Sequence, residues 1–386
     1  MSEENRTKLN AVAITALVVV AGVVLYNMGR LDEVVNLLRG MHEPVLIESN
    51  QDFLTQGWPG NGTTTNPYVI SGITVNPVEN KPCIDIRNTT ASFTIKDCYL
   101  ISNFYRPAIR MNAVQNALVQ NCFISITKGK GIEAVNVSNS NFIKNSISGF
   151  VNTSSEVVKI TSADGIYGFR GFNNEFSDNR LSNLYQHGIR LSHMDHCTVA
   201  NNMISNSRIG VFLYNGWYCD IEDNEIFNSG HGGSLAIGNN GIEIYAGAFL
   251  SVRNNLIHHN AGYGIQTSAW RSAITNNTIH DNELGGIFSE GSSFISITGC
   301  IVANNGGVGV AFKGWSYYHA GNCIIETSYI HHNVGSGIYF YCVDDGEVHD
   351  NRIEFNGEWG IYMLECLNTT ESNNVFDSNT LGDVSP

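Results

Sequence analysis

The chain has 386 residues, 42% of them hydrophobic, and a formal net charge of −14 because 35 acidic residues outnumber 21 Lys and Arg. This balance argues against a nucleic-acid partner, since the phosphate backbone demands a basic surface. Only seven prolines are present, so long disordered linkers are not indicated, and the length suffices for an extended hydrophobic core.

An apolar segment lies near the N-terminus. Residues 11–29 begin with the run AVAITALVVVAGVVLY, which Arg6 and Lys8 precede. A run of 16 to 18 residues is intermediate between a signal-peptide core and a full membrane span, and no small-x-small cleavage pattern follows it. We therefore predict an uncleaved transmembrane signal anchor over 11–29, with a cleaved signal peptide or a buried helix as alternatives. The basic residues would keep 1–10 in the cytoplasm and place the remaining chain outside, extracellular or periplasmic, held in the cell membrane by a single pass.

Residues 30–45 contain LDEVVNLLRGM, whose apolar residues recur at helical spacing. A helical linker or cap is predicted here, because the repeats that follow need a cover over their first open end. A pilin-like assembly helix is the weaker alternative, since no processing motif precedes the apolar run.

A short phrase recurs through the rest of the chain, for example NNLIHHNAGYGI at 254–265 and DNRIEFNGEWGI at 350–361. Its central aliphatic position, the anchor, is occupied by Leu100, Ile124, Ile143, Leu181, Ile204, Ile226, Ile257, Ile279, Val302, Ile330, Ile353 and Phe376. The commonest spacing is 22 to 23 residues, which is too short for a helix pair and suits one turn of a parallel β-solenoid. We predict one elongated all-β domain of about 12 coils over 46–386.

Asparagine recurs three residues after the anchor, at Asn260, Asn282, Asn305, Asn333, Asn356 and Asn379. Stacked at about 4.7–4.9 Å per coil, these side chains can hydrogen-bond as a ladder. The alternative is that they only form turns, because Asn tolerates a left-handed backbone. Two long intervals between anchors, of 38 and 31 residues, predict insertions at 148–170 and 231–239.

The nine cysteines are odd in number, contain no C-x-x-C motif and fall on repeat columns. Stacked inward thiols that fill small core positions are the simplest interpretation. Disulfides between adjacent coils, such as Cys197 with Cys219 or Cys342 with Cys366, are the alternative.

Glycosylation sequons agree with an external location. They lie at Asn61, Asn88, Asn136, Asn152, Asn276 and Asn368. We therefore expect a glycoprotein.

The first repeats carry a family resemblance. The segments LIESNQDFLTQGWPGNGTTTNPYVISGITV, from Leu46, and CIDIRNTTASFTIKDCYL, from Cys83, resemble the NosD-like and pectate-lyase-like superfamily of archaeal and bacterial surfaces. The resemblance implies a single-stranded right-handed parallel β-helix, with relatives that bind or cut polysaccharides or deliver copper. It also implies a calcium-binding acid cluster in lyases, whose nearest analogue is Asp344, Asp345 and Glu347. The Asp-Pro-His signature of uronate epimerases is absent from this chain.

Aromatic residues recur at a loop position nine residues before the anchor. Trp217 and Trp270 occupy it two coils apart, about 9–10 Å at strand spacing. Rings spaced like sugar units and flanked by polar groups suit stacking on pyranose faces. The predicted carbohydrate-binding residues are Trp217, Tyr245, Trp270, Arg271, Trp315 and Tyr317. The alternative is that the tryptophans merely cover the turn edges of the solenoid.

The segment HGIRLSHMDH at 187–196 is the best catalytic candidate. Its residues His187, Arg190, His193 and Asp195 could supply a general base, an orienting carboxylate and a cation for a uronate. Histidines on a solenoid edge without a catalytic role are the alternative.

A second histidine cluster contains His258, His259, His280 and Asp281. His258 and His280 occupy the same position in adjacent coils, each one residue after the anchor. Imidazoles stacked beside a carboxylate could bind copper or zinc, and a polar turn that tolerates His is the alternative.

We conclude from the sequence that a membrane-anchored β-helix protein binds a polysaccharide or another cell-envelope glycan, or has a structural role in the envelope. A polysaccharide lyase or hydrolase is the second hypothesis, and a NosD-like copper-handling protein is the third. No cofactor is established, although a divalent metal, copper or calcium, fits the second and third hypotheses. A homo-oligomer is compatible with the sequence.

Overall fold

The computed structural model describes residues 41–149, 164–230 and 238–385. The predicted segments 1–10 and 11–29, and residues 30–40 of the predicted linker, lie outside these ranges. Within the ranges, no helix combines the length and apolar character that crossing a membrane requires. The first strand, Val45–Ile47, begins one residue before the predicted domain boundary.

The described chain is a parallel β-solenoid in which each coil contributes three short strands, on faces A, B and C in chain order. Face A contains Val45–Ile47, Ile84–Thr89, Ile109–Gln115, Ile132–Ser138, Ile166–Phe172, Ile242–Ala248, Tyr263–Thr267, Gly285–Glu290, Val310–Lys313, Ile338–Tyr341, Trp359–Leu364 and Gly382–Val384. Face B contains Tyr68–Ser71, Phe93–Lys96, Ala117–Gln120, Asn141–Ile143, Glu175–Ser177, Thr198–Ala200, Asp220–Glu222, Ser251–Arg253, Trp270–Thr275, Ser293–Thr298, Ile324–Glu326, Glu347–His349 and Thr370–Ser372.

Face C contains Thr74–Val75, Tyr99–Ser102, Phe123–Ile126, Ser146–Gly149, Glu225–Phe227, Leu256–His258, Thr278–His280, Ile301–Ala303, Tyr329–His331, Arg352–Glu354 and Val375–Asp377. Two long strands, Arg180–Asp195 and Met203–Trp217, run from face C into face A. Two short ones, Ala320–Gly321 and Val343–Asp344, lie at the corner between faces A and B. Every strand pairs in parallel with its copies in the neighbouring coils, so each coil completes the hydrogen bonds of the next.

The strand pairing confirms the predicted solenoid and corrects its register at one coil. In the described residues, thirteen inward residues form one column on face C: Val75, Leu100, Ile124, Ile147, Leu181, Ile204, Ile226, Ile257, Ile279, Val302, Ile330, Ile353 and Phe376. Ile143 was the wrong anchor, because it pairs with Gln120 and Ser177 on face B. In NFIKNSI both isoleucines follow an Asn, but Phe142 already fills the interior on face B. Only Ile147 then continues the column.

The corrected register shortens the first predicted insertion. Ile147 and Leu181 are 34 residues apart, and residues 150–163 between them lie outside the described ranges. The predicted boundaries 148–170 were too wide, since Ile166–Phe172 is a regular strand on face A. Most of the second predicted insertion, residues 231–237, also lies outside the described ranges.

Asparagine ladders run through the interior beside the bends. The Asn282 Nδ2–H donates to Asn305 Oδ1 at 3.0 Å, and Asn260 donates to Asn282 in the same way at 2.9 Å. The ladder prediction is therefore confirmed. The left-handed turn residue is the preceding one, as in Asp281 with φ 55° and Asn304 with φ 54°. A second ladder lies at the corner between faces B and C and joins Asn145, Asn179, Asn202, Asn224, Asn255 and Asn277.

A short helix, α1 at Asn50–Thr55, closes the first coil. Ser49 caps its N-terminus through a capping box with Asp52. The fully buried Phe53 ring stacks on Tyr68 at 4.6 Å and lies 5.6 Å from Phe93. The sequence pattern did not reveal this helix, because six residues are too few to show a period.

All nine cysteines are free thiols, and all but Cys366 are buried. The prediction of inward thiols is confirmed, and neither Cys197 with Cys219 nor Cys342 with Cys366 forms a disulfide. Burial raises the pKa of Cys83 to about 12 and that of Cys300 to about 11. These thiols therefore remain protonated and act as small apolar core groups.

Candidate functional site

A cluster of exposed aromatic residues lies where the chain turns from face A to face B. We call it the aromatic corner: Trp217, Tyr218, Phe249, Trp270, Arg271 and Phe294. Strand pairing aligns Trp217 with Ala248, and Ala248 with Trp270, so the two tryptophans stand two coils apart as predicted. Each of the five rings is between 36% and 50% exposed. The corner thus presents apolar rings to solvent over successive coils.

The rings contact one another along the solenoid axis. Tyr218 stacks on Phe249 with centroids 4.9 Å apart and planes 5° apart, and Trp217 lies 6.2 Å from Phe249. Trp270 meets Phe294 edge-on at 6.0 Å. The Arg271 guanidinium lies 4.3 Å from the Trp270 ring centroid and 5.4 Å from that of Phe294. Arg271 therefore holds a cation beside the rings through cation–π contacts.

The backbone at this corner adopts a conformation that bulky residues rarely take. Tyr218, Phe249, Arg271 and Phe294 all have positive φ, between 49° and 59°. A left-handed backbone costs an L-residue about 1–2 kcal/mol, and Gly or Asn takes it most readily. Each coil bends here through a left-handed residue, and in these four successive coils that residue is bulky rather than Gly or Asn.

The remaining predicted carbohydrate-binding residues lie beside the aromatic corner. Tyr245 is 59% exposed on face A, in the coil between those of the two tryptophans, and stacks on Tyr214 at 5.9 Å. Trp315 and Tyr317 stack at 6.1 Å in the loop of a later coil. Trp315 lies so close to Gly291 that a Cβ there would come within 2.4 Å of its ring. The structure thus brings the predicted set to one edge of the solenoid.

Sequence reasoning missed Tyr218, Phe249 and Phe294. They occupy the position immediately after the tryptophan column, where a strand's alternation would point the side chains inward. The left-handed turn at this position directs them outward instead. Extending the repeat columns by one residue would have found them.

The structure separates the predicted catalytic set into two groups. His187 lies buried at the edge of face A next to face C, and its Nδ1 is 2.7 Å from Asp164 Oδ1. His193 lies at the opposite end of the strand, against Tyr214, and Asp195 accepts a hydrogen bond from the Trp217 N–H at 3.1 Å. The carboxylate that orients His187 is therefore Asp164. Sequence reasoning missed it because Asp164, one coil or 23 residues before His187, fell within the predicted insertion at 148–170.

Arg190 lies near His187 on face A. Its guanidinium sits between the Tyr167 and Phe212 rings, with Cζ 5.4 Å and 5.7 Å from their centroids. The His187 ring also contacts Phe212, at 5.1 Å. Within the described ranges, the buried Arg190 Nε has no hydrogen-bond partner. The Asp164–His187 pair and the Arg190 guanidinium therefore both lie against the Phe212 ring.

Of the two predicted metal sets, one has three of its four residues gathered in the part of the chain that the structure describes. His259, His280 and Asp281 each place a ligand atom within 4.8 Å of the others. The acidic set implied by the family resemblance is not gathered into such a group. Asp344 contacts His319 at 2.9 Å, and Asp345 accepts a hydrogen bond from Asn368.

Comparison with known proteins agrees with this architecture. The chain matches the family described as the right handed beta helix region over residues 60–233, 164–323 and 314–384. The chain belongs to this family. The predicted resemblance to β-helix repeat proteins is thereby confirmed, including its right-handed sense. No curated protein sequence matches the chain significantly.

Solved structures show the same fold at low sequence identity. The A-module of the mannuronan C-5 epimerase AlgE4 from Azotobacter vinelandii superposes with a TM-score of 0.52 at 12% identity, covering 77% of this β-helix chain and 89% of its own. The catalytic unit of a GH87 alpha-1,3-glucanase from Streptomyces thermodiastaticus gives 0.52 at 16% identity, covering 90% and 70%. These likenesses establish the fold of the β-helix protein.

Proposed function

We propose that this β-helix protein binds a polysaccharide through the aromatic corner. The observation that carries the proposal is the run of exposed bulky residues in left-handed conformation at Tyr218, Phe249, Arg271 and Phe294. Exposed rings stack on the apolar faces of pyranoses, and the Arg271 guanidinium offers several fixed donors to hydroxyl or carboxylate groups. The epimerase and the glucanase named above, which share the fold, are named for polysaccharide substrates.

A glycan array decides this proposal. Wild-type protein should bind one class of polysaccharide, and the double variant Trp217→Ala with Trp270→Ala should lose that signal. Equal signals from both proteins would remove the aromatic corner as the binding surface.

A second candidate function is proton abstraction from a uronate at His187. The 2.7 Å contact between Asp164 and the buried His187 favours it, because an oriented imidazole can serve as a general base. The Arg190 guanidinium could neutralise a substrate carboxylate nearby. Elimination and epimerisation of uronates both begin with the loss of a proton next to the carboxylate.

Incubation with a panel of uronate polymers tests the second candidate. We expect unsaturated or epimerised products from the wild type, and a rate at least about 100-fold lower for His187→Gln, as loss of a general base typically gives. His331→Gln, a histidine on another coil, is the matched control. Absence of product with the wild type would eliminate this candidate.

We further propose that residues 11–29 anchor the β-helix to the cell membrane. Their apolar run and the preceding Arg6 and Lys8 support this. Full-length protein should stay in the membrane fraction during a high-pH carbonate wash, while a variant without residues 1–29 should be released. Release of the full-length protein by the same wash would contradict the anchor.

A further inference from the structure

Four potential metal ligands form a two-by-two block at the corner between faces C and A. Two dipeptides supply them, His258-His259 in one coil and His280-Asp281 in the next. Strand pairing places His258 directly beside His280. The following residues, His259 and Asp281, are both left-handed, with φ 54° and 55°. The same bend therefore presents both pairs of side chains in the same direction.

Three of the four side chains, those of His259, His280 and Asp281, are close enough to share one ion, and His258 lies beside them. The His280 Nδ1 is 2.7 Å from Asp281 Oδ2, and the His258 Nδ1 is 2.8 Å from His259 Nδ1. The His258 and His280 rings stack at 5.1 Å with planes 3° apart, and His259 meets His280 edge-on at 6.1 Å. One ligand atom each from His259, His280 and Asp281 lies within 4.8 Å of the others.

The fold holds this block in place. Phe227 stacks on the His258 ring at 5.2 Å, and the backbone N–H of His259 donates to the carbonyl of His280. Immediately after each dipeptide, the buried Asn260 and Asn282 are joined in the interior ladder. Ligands on rigid, hydrogen-bonded coils lose little freedom when they bind an ion.

We propose that His258, His259, His280 and Asp281 bind one divalent transition-metal ion of the Zn(II) and Cu(II) class. Imidazole nitrogens with one carboxylate suit these ions, whereas calcium and magnesium prefer oxygen ligands. Ligands at about 2.0–2.2 Å from an ion lie at most about 4.4 Å apart. The ligand atoms of His259, His280 and Asp281, which lie within 4.8 Å of one another, are therefore near bonding separation. This site goes beyond the proposed glycan binding, because it lies at the opposite edge of face A from the aromatic corner.

The chain contains its own control for this site. His331 and His332 form the same dipeptide at the same corner, with their Nδ1 atoms 2.9 Å apart. Their neighbours in adjacent coils differ: Ala303 on one side, and Glu354 on the other. Glu354 is buried, and its carboxylate accepts hydrogen bonds from Arg352 and Tyr329. His331 and His332 are therefore a histidine pair without the second pair of ligands, and their metal affinity can be compared with that of the four-residue block.

The repeats also supply substitutions that the fold accepts. Ala303 and Asn304 occupy the positions of His280 and Asp281 in the next coil. The variants His280→Ala and Asp281→Asn therefore remove ligands while installing residues that the same corner already contains. The control variant is His331→Ala with His332→Asn.

Zn(II) titration of the full-length protein against a chelating dye tests the proposal, with Cu(II) electron paramagnetic resonance as a second readout of nitrogen ligands. We expect one tight Zn(II) per chain, with affinity lowered at least about tenfold by Asp281→Asn and further by His280→Ala. The control should bind like wild type. Wild-type affinity in Asp281→Asn and His280→Ala, or an equal loss in the control, would overturn the site. If His280→Ala does not fold, Asp281→Asn decides alone.

Discussion

Replacing Trp217 and Trp270 together by alanine should lower the affinity for the bound polysaccharide about 30-fold. Each exposed ring that stacks on a sugar is expected to contribute about 1 kcal/mol, and about 1.4 kcal/mol corresponds to a factor of ten. The two rings lie two coils apart on one surface, so a single glycan chain can contact both. Isothermal titration with the best ligand from the array measures this loss directly.

The control for this experiment is an exposed aromatic residue elsewhere on the solenoid. Tyr185 is 47% exposed at the corner between faces C and A, away from the aromatic corner. Tyr185→Ala should bind like wild type. Single variants Phe249→Ala and Phe294→Ala should each weaken binding less than the double tryptophan variant. If Tyr185→Ala reduces affinity as much as the tryptophan variants, binding does not depend on the aromatic corner.

Replacing Asn282 by alanine should destabilise its coil by at least about 3 kcal/mol. The Asn282 Oδ1 accepts from both the backbone N–H and the Nδ2 of Asn260, and its own Nδ2 donates to Asn305. Alanine would leave these buried groups without partners, at about 1–3 kcal/mol each. Hydrogen exchange followed by mass spectrometry should show faster exchange in peptides from residues 254–305. Exchange far from this coil should change less, because solenoid coils contact only their neighbours.

Asn304→Gly is the matched control, since Asn304 directly precedes the ladder residue Asn305. Asn304 is exposed and left-handed with φ 54°, a conformation that glycine adopts without strain. The free energy of unfolding of the Asn304→Gly variant should stay within about 0.5 kcal/mol of the wild-type value, as is usual for surface substitutions. A similar loss of stability in Asn282→Ala and Asn304→Gly would show that the effect arises from any substitution at this corner and not from the hydrogen bonds of the ladder.

The two best-defined surface clusters lie at opposite edges of face A. The aromatic corner follows face A, and the His258 to Asp281 block precedes it. Between them, Arg190 and His187 lie on or beside face A. Binding, metal and catalytic hypotheses therefore concern separate residues, and variants at one cluster leave the others intact.

Periodicity predicted most of the fold but misplaced one coil. Eleven anchors were correct because a 22- to 23-residue spacing leaves one choice of aliphatic residue in each repeat. At Ile143 and Ile147 the local phrase fits twice within four residues, and the following insertion removes the next spacing as a check. Val75 was missed because the opening repeat departs from the usual phrase.

The sequence by itself determined the solenoid, its inward columns and the asparagine ladder. Every coil must complete one turn with apolar residues inside, so these features repeat and are visible as a period. Only the tertiary structure decided that Asp164 pairs with His187 and that Tyr218, Phe249 and Phe294 point outward. The first is a contact between neighbouring coils, and it was hidden because Asp164 fell within the predicted insertion at 148–170. The second depends on the backbone angle of single corner residues, which leaves no trace in a hydrophobic pattern.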